Sequence, residues 1–392
     1  MPVSVTPVSG KKEMGEFIRF PWKIYAGDRN WVPPLIMERE ISFDKAKNPV
    51  FSHLDAQFFL ARRGDDIVGR ISAQVDHEHN HIHKEKTGFF GAFEAVDDPE
   101  VAGALLRAAE EWVAGRGMER ARGPFTLNIN EEAGMLVEGF ESPPSILTNY
   151  AKPYYAALVE GQGYAKVKDL YGWRYTVGEM PPTARKLGER TAKQKGVKVR
   201  TVDMSNFKKE LRLLLDLFNS AWSQNWGFIP LNDAEVDKAA EDLKLVIEPQ
   251  MALFAEVDGV PAAVAFSLRN IHESIADLDG KLFPFGILKL LWRMKVAKPK
   301  TGRLVALGIK KEFRGMAVGG SLAVLLYYQM HLAAQRCGVT GGEIGWTLED
   351  NVDVNRSIEF MGGKKYKTYR IWEKVLGGAG AGAGGGGGAG AK

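Results

Sequence analysis

The run RLVALGIK at 303–310 leads through KEFRGMAVGG into SLAVLLYYQMHLAAQRCG, and GEIGWTL follows. An apolar stretch, a glycine-rich turn and a long helical segment in that order describe a strand feeding a helix. With the next strand, the unit closes by the right-handed crossover that parallel strands adopt. That segment commits its half of the chain to a mixed α/β fold. It also marks a place for an anion. A helix N-terminus exposes unpaired N–H groups at the positive end of its dipole, and glycine lets a phosphate approach the backbone. Arg314 adds a charge at that point. Two readings stay open on spacing alone: a phosphate cradle, or a glycine-rich connection with no ligand.

A chain of 392 residues exceeds one ordinary core. The basic, Pro/Gly-containing stretch 179–198 is expected to divide it, giving domains at 1–178 and 199–376, with a flexible Gly/Ala tail at 377–392. The halves share an order of elements. FFLARRGDDIVGRISAQV reads as a hairpin, GFFGAFEAV as a strand and EVAGALLRAAEEWVAGRG as a helix, with further strands near MERARGPF and KDLYGWRY. In the second half, Phe207, Leu211, Leu214, Leu215, Phe218 and Trp222 form a helical stripe. A second helix, a hairpin turning at Asp258-Gly259, and strand–helix–strand–helix–strand follow. The parallel between the halves suggests an internal duplication.

Arg314-Gly315-Met316-Ala317-Val318-Gly319, directly after a strand, resembles the acyl-CoA loop of the GCN5-related N-acyltransferases (GNAT). Asn351, with Gly362 eleven residues on, matches that family's second block. The resemblance covers about 200–376. It implies an α/β fold of tandem GNAT-like domains with acyl-CoA as co-substrate. The pyrophosphate would lie on Arg314–Gly320, with Asn351 nearby, and the pantetheine along Val305–Ile309. Ala317 stands where the family has glycine, and Ile358 where it often has a tyrosine general acid. At the corresponding place the first half carries Asp97, Asp98 and Glu100, which repel a pyrophosphate; that half is expected to be degenerate. FPWKIYAGDRNWVPPL, AWSQNWGFIPL and EDNVDVNRSIEFMGGKKYKTYRIWEK further resemble the bacterial two-domain branch that includes ceramide synthases. That branch acylates a long-chain sphingoid base with a fatty acyl-CoA.

Amide formation from a thioester needs a deprotonated amine and a stabilised oxyanion. Backbone N–H groups at Leu307, Gly308 and Ile309 are candidates for the oxyanion, and Glu343, His272 and Glu273 for the base. Ordinary strand-end or loop charges are the alternative for each. Trp222, Asn225, Trp226 and Phe228 are expected at the acceptor pocket, or packed as helix-end aromatics. His77, His79, His81 and His83 alternate; on a strand they would share one face, yet the reading is an exposed connector with no metal.

Between Asp279 and Glu312 the chain has no acidic residue. Lys281, Lys289, Arg293, Lys295, Lys298, Lys300 and Arg303 interleave there with Leu, Phe, Ile, Trp and Met. Such a segment, 282–300, suits an anionic bilayer interface, a core-shielding lid, or a grip on the CoA 3′-phosphate. Nucleic acid is not expected: the net charge is only +4 and no motif supports it. Neither a leader-like apolar run nor a span of about 18 apolar residues occurs, and Cys337 is the single cysteine. A cytoplasmic protein, peripheral on the inner membrane face, is the expectation. Three functions follow: transfer of a long acyl chain to a sphingoid base or other long-chain amine; N-acetylation of a small soluble or protein amine; or non-catalytic acyl-CoA or lipid binding.

Overall fold

A computed structural model describes residues 1–314 and 319–377. Gly315, Met316, Ala317 and Val318 of the glycine junction, and the tail from 378, lie outside the described residues.

Among the described residues thirteen strands form one sheet. They are β1 (Val3–Pro7), β2 (Leu54–Arg63), β3 (Asp66–Asp76), β4 (Thr87–Ala95), β5 (Arg120–Gly123), β6 (Met135–Glu138) and β7 (Ala165–Thr176). The second half adds β8 (Val197–Thr201), β9 (Ile247–Val257), β10 (Val260–Arg269), β11 (Thr301–Ile309), β12 (Gly341–Leu348) and β13 (Lys364–Val375). The order is β1-β2-β3-β4-β5-β13-β7-β12-β11-β10-β9-β8, with β6 also paired to β13. Each half is an antiparallel series ending in one parallel pair, β4–β5 or β11–β12. The halves then exchange their last strands: β13 pairs with β5, and β7 with β12. The corresponding strands β4 and β11 even open alike, TGFFGAFEA and TGRLVALGI. The fold is the mixed α/β one expected.

Helix Phe207–Trp222 packs on β10 and β11 from one side, helix Gly319–Arg336 on β9, β10 and β11, and helix Pro99–Ala114 on β3 and β4. Gly319 starts its helix hard against the preceding turn: a Cβ there would lie 2.1 Å from the Phe313 carbonyl oxygen. Segment 179–198, expected as a linker, contains helix Pro182–Ala192, which packs on Gly319–Arg336. Its Gly188 is pressed against Tyr328, where a Cβ would come within 2.5 Å of the tyrosine Cβ. The histidine run is not a strand. Asp76 accepts from the His79 N–H at 3.0 Å and starts helix His77–His83, so the four imidazoles do not share a face. Among the described residues no group of three or more His, Cys, Asp or Glu could hold a metal ion.

His53 ties the halves together electrostatically. Its Nδ1 lies 3.0 Å from Asp76 in the first half, and its Nε2 3.6 Å from Glu235 in the second. The hydrogen bonds to Asp76 and then Glu235 push its pKa up to about 10. A histidine raised above its ordinary 6.5 stabilises the fold fully below that value and loses the contribution as pH rises through about 10. The denaturation midpoint is therefore expected to fall from pH 6.5 towards 10, and to fall less in His53→Gln. An NMR titration showing His53 neutral at pH 8 would overturn this.

Candidate active site

The parallel pairing of β11 with β12 runs only from Thr301↔Gly341 to Leu304↔Ile344. Beyond Leu304 the strands part, so Val305–Ile309, the Leu307–Ile309 stretch included, has no β12 partner. On its other side β11 bulges at the same place: Phe266 pairs with Ala306 but Ser267 with Leu304, leaving Val305 extra. A bulge re-aims backbone groups, and here it does so at the mouth of the opening. The first half starts the same way, with Thr87–Phe89 against Arg120–Arg122. Its opening is plugged by its own chain: the Phe125 N–H donates to Phe90 O at 2.8 Å, and a Cβ on Gly91 would fall 1.6 Å from Phe125 O. The acidic helix start there is spoken for as well, because Arg63 pairs with Asp98 and Glu100.

Gly308 is glycine because helix Phe207–Trp222 lies on it; a Cβ would meet the Trp222 ring at 2.3 Å. Trp222 stacks on Phe218 at 4.4 Å, so it packs as a helix-end aromatic over β11. Arg314 donates Nε–H to Ile309 O at 2.9 Å and a terminal N–H to Ala221 O, joining the strand end to that helix. Asn351 precedes helix Val352–Phe360 without capping it through its side chain. Asn355, one turn on, instead donates to Leu348 O at 3.0 Å and contacts Thr347 Oγ1 at 2.6 Å. Ile358 is fully buried.

Trp226 and Asn225 sit against the first half. Trp226 lies between Arg122 and Lys168, 5.2 and 5.6 Å from its ring, and Asn225 borders the same cleft. His83 meets Phe228 O at 3.0 Å and Asn130 donates to Ile229 O at 3.1 Å. Phe228 is buried against Phe218. The structure therefore does not gather the four expected acceptor residues around the β11–β12 opening.

At the closed end of the opening lies a buried ionic network. Arg303 and Glu343 are register partners on β11 and β12, with Arg303 Nε 3.0 Å from Glu343 Oε1, and both are buried. Arg303 Nε–H donates to Gly345 O at 2.8 Å, and its terminal nitrogen to Ile146 O and Leu147 O at 2.7 and 2.9 Å. Tyr366 O–H donates to Glu343 at 2.6 Å. Burial pushes the Glu343 pKa up, against the pull of Arg303. Lys367 donates to Gly139 O and Ser142 O at 2.7 and 2.8 Å, and burial brings its pKa down to about 8. Arg303 and Lys367, both from the second half, thus clamp first-half loop 139–147 across the base of the site. Neither had been expected here, and Arg303 had been counted with the basic insertion. For Arg303 the available signal was a cation inside an otherwise apolar strand, which is kept only where partners await it; Lys367, in the charge-rich β13, carries no such signal.

His272 is neither in a strand nor solvated. It opens helix His272–Ile275, and its Nδ1 lies 2.9 Å from Pro144 O. A carbonyl only accepts, so Nδ1 carries the hydrogen and Nε2 is left with a lone pair. Burial lowers the pKa, which keeps the ring neutral near pH 7. Glu273 is committed elsewhere: it accepts from the N–H groups of Lys300 and Thr301, both at 2.8 Å, and so anchors the start of β11.

No family model matches the sequence. The chain is 42% identical over 376 residues to the bacterial ceramide synthase of Caulobacter vibrioides, covering 95% of this chain and 98% of that protein. It is 40% identical over 366 residues to protein YghO of Escherichia coli, with 93% of each covered. Among solved structures it is similar to a tandem GNAT protein from the clavulanic acid biosynthesis pathway, with TM-score 0.53, 13% identity, and 96% and 99% coverage of the two chains. A glucosamine N-acetyltransferase region of a fungal multi-domain β-N-acetylglucosaminidase gives TM-score 0.55 and 14% identity over 95% of this chain and 38% of that one. These two likenesses show the fold alone. Identity of 42% over nearly two whole chains decides the family, and the fold with exchanged strands agrees with it: the chain belongs to the N-acyltransferase family that contains bacterial ceramide synthase.

Proposed function

We propose that the chain moves a long acyl group from acyl-CoA to the primary amine of a single-chain lipid base, working at an anionic membrane surface. The observation that carries this reading is the insertion after β10. Phe283, Phe285, Leu288, Leu291, Trp292 and Val296 are 47–75% exposed, side by side with exposed Lys295, Lys298 and Lys300. Large apolar side chains rimmed by cations fit an interface with acidic lipids. The segment is a short helix, Gly286–Trp292, running into a π-turn at Arg293–Ala297. Asp277 holds Lys289 and Arg293 underneath, and Leu282, Ile287 and Leu290 seat the segment on Val32 and Leu35. Among the described residues no helix is long and apolar enough to cross a membrane.

The open edge of β11 and the start of helix Gly319–Arg336 fit an extended thioester whose phosphates reach the helix N-terminus. Bound acyl-CoA supplies an activated carbonyl and a thiol leaving group. His272 Nε2 takes the proton of the incoming ammonium, and the backbone at the Val305 bulge faces the developing oxyanion. The amine nitrogen bonds to the carbonyl carbon, the C–S bond breaks, and the departing thiolate, with a pKa near ~8.5, takes up the second proton that the nitrogen sheds as the amide forms, leaving as free thiol without a dedicated acid.

Free-thiol release from palmitoyl-CoA and acetyl-CoA, each with and without a dispersed long-chain base, tests the reaction. Release that requires both palmitoyl-CoA and the base is expected; equal release from acetyl-CoA with a small soluble amine would replace this reading. Separately, Phe285→Glu with Trp292→Glu is expected to weaken sedimentation with phosphatidylglycerol vesicles by about tenfold or more. Wild-type protein that ignores such vesicles would remove the membrane from the proposal.

A further inference from the structure

Segment 182–200 carries a row of cations that neither the fold nor the site employs. Ala184, Leu187, Gly188 and Thr191 form the stripe that seats helix Pro182–Ala192 on helix Gly319–Arg336. The outward side of the helix and the residues after it present Arg185, Lys186, Arg190, Lys193, Lys195 and Lys198, all exposed. None of the six is in an ion pair among the described residues. Cations elsewhere on the surface are met: Asp277 holds Lys289 and Arg293, and Asp66 holds Lys23. Within the stretch only Glu189 opposes the row, and Asp258 stands at the adjoining turn beside Gly196. Lys186 and Arg190 are four residues apart on the helix, a spacing at which like charges repel. The row therefore contributes nothing to the stability of its own helix.

Register fixes where it lies. The helix follows β7, whose end Thr176 pairs with Gly341 at the start of β12, and leads to β8, whose start Val197 pairs with Val257. Val257 pairs with Val260 across the β9–β10 turn, and Ala263, a little further on, pairs with Ile309 at the end of β11. The helix thus runs from the closed end of the β11–β12 opening towards its mouth, and Lys193, Lys195 and Lys198 stand at the mouth end. The insertion lies at the opposite end, leaving the sheet after Arg269, which pairs with Gly302 near the start of β11. A chain held to a membrane by the insertion keeps these cations turned to water. Among the described residues of 182–200 there is also no exposed large apolar side chain of the kind the insertion shows.

We infer that this row docks an acidic carrier protein that delivers the acyl chain on a 4′-phosphopantetheine arm. The inference rests on the acyl-transfer reading above and concerns how the donor is presented. A helix of 11 residues is about 16 Å long, more than the 3′-phosphate of CoA spans, and suits a macromolecular face. Oppositely charged surfaces steer the encounter and fix its register. The arm shares with CoA a phosphate, the pantetheine and the thioester, so the open edge of β11 takes either. The balance is unchanged as well: the amine nitrogen takes the acyl carbon, the C–S bond breaks, and the carrier's thiolate leaves with the proton that the nitrogen sheds.

The test uses the full chain with a palmitoyl-loaded acidic acyl carrier protein and, separately, palmitoyl-CoA, each with a dispersed long-chain base. Lys193→Glu with Lys195→Glu reverses the charge at the mouth; Lys193→Gln with Lys195→Gln removes it, and decides if the reversal does not melt cooperatively. Fluorescence anisotropy of the labelled carrier reads docking apart from turnover. Wild type is expected to bind the carrier, with affinity falling as salt rises. The reversal should weaken that binding and raise KM for the loaded carrier by about tenfold or more, with kcat and the use of palmitoyl-CoA unchanged. The neutral pair should lie between. Carrier binding and KM unaltered in both variants would overturn the docking assignment while leaving transfer from acyl-CoA standing. An equal loss with palmitoyl-CoA would give the cations to the 3′-phosphate instead. Vesicle sedimentation weakened by the reversal, with carrier binding intact, would give them to the membrane. Docking as expected, with no thiol release from either donor, would keep the surface and discard the reaction.

Discussion

Glu343→Ala is expected to lower unfolding free energy by about 3–5 kcal/mol, the usual result of removing one partner from a buried ion pair. Arg303 would keep its carbonyl contacts at Gly345, Ile146 and Leu147, yet its charge would be uncompensated in the interior. Guanidinium cannot shed that charge at any accessible pH. The converse variant, Arg303→Met, behaves differently, because a buried carboxyl can take up a proton. With Arg303 gone, the Glu343 pKa, already raised by burial, rises further. A carboxyl whose folded pKa exceeds its unfolded value binds more protons when folded, so stability is greatest at low pH and declines as pH rises through the folded pKa. Urea unfolding across pH 4–8 separates the cases: Glu343→Ala should be weakened throughout, Arg303→Met progressively towards neutrality. Equal, pH-independent losses would mean that the pair is not held as described.

His272→Ala is expected to reduce kcat/KM by about 10²–10³-fold with long-chain amine as the varied substrate. Acyl-CoA binding should be intact, since the contact His272 makes is with Pro144 O and not with the open stretch of β11. Burial sets the His272 pKa below 6.5, so the wild-type kcat/KM profile should have an acid limb below that value. The limb disappears in His272→Gln if this imidazole is the base. A limb that persists in the variant would give the role to another group.

The order of strands and helices was legible because apolar period and turn chemistry agree along most of the chain: Asp258-Gly259 turns the β9–β10 hairpin as read. Segment 179–198 misled because its proline, glycines and cations resemble a linker; the contact that makes it a helix, Gly188 on Tyr328, is tertiary. Alternating histidines mimic a strand period, but Asp76 as N-cap decides for a helix, a single-residue signal outweighing a pattern. Glycine spacing led to the opening between β11 and β12. It revealed nothing of Arg303, Lys367 or the loop they clamp, because those contacts span more than 150 residues of sequence. Trp226 shows the same limit: its composition suits an acceptor pocket, and only the fold places it on Arg122 and Lys168.

Exchange of the last strands bears on how such a chain comes to be. The seat beside β5 is filled by β13, the last strand of the sheet in sequence order, and the seat beside β12 by β7, made long before its neighbour. The sheet is incomplete until β13 has been made, so the halves mature together rather than in turn. The arrangement is that of a homodimer with swapped C-terminal strands, its two copies joined head to tail in one polypeptide. A fusion of this kind holds each half permanently in the other's architecture, and the Phe125 plug in the first splay closes there the opening that the second half keeps.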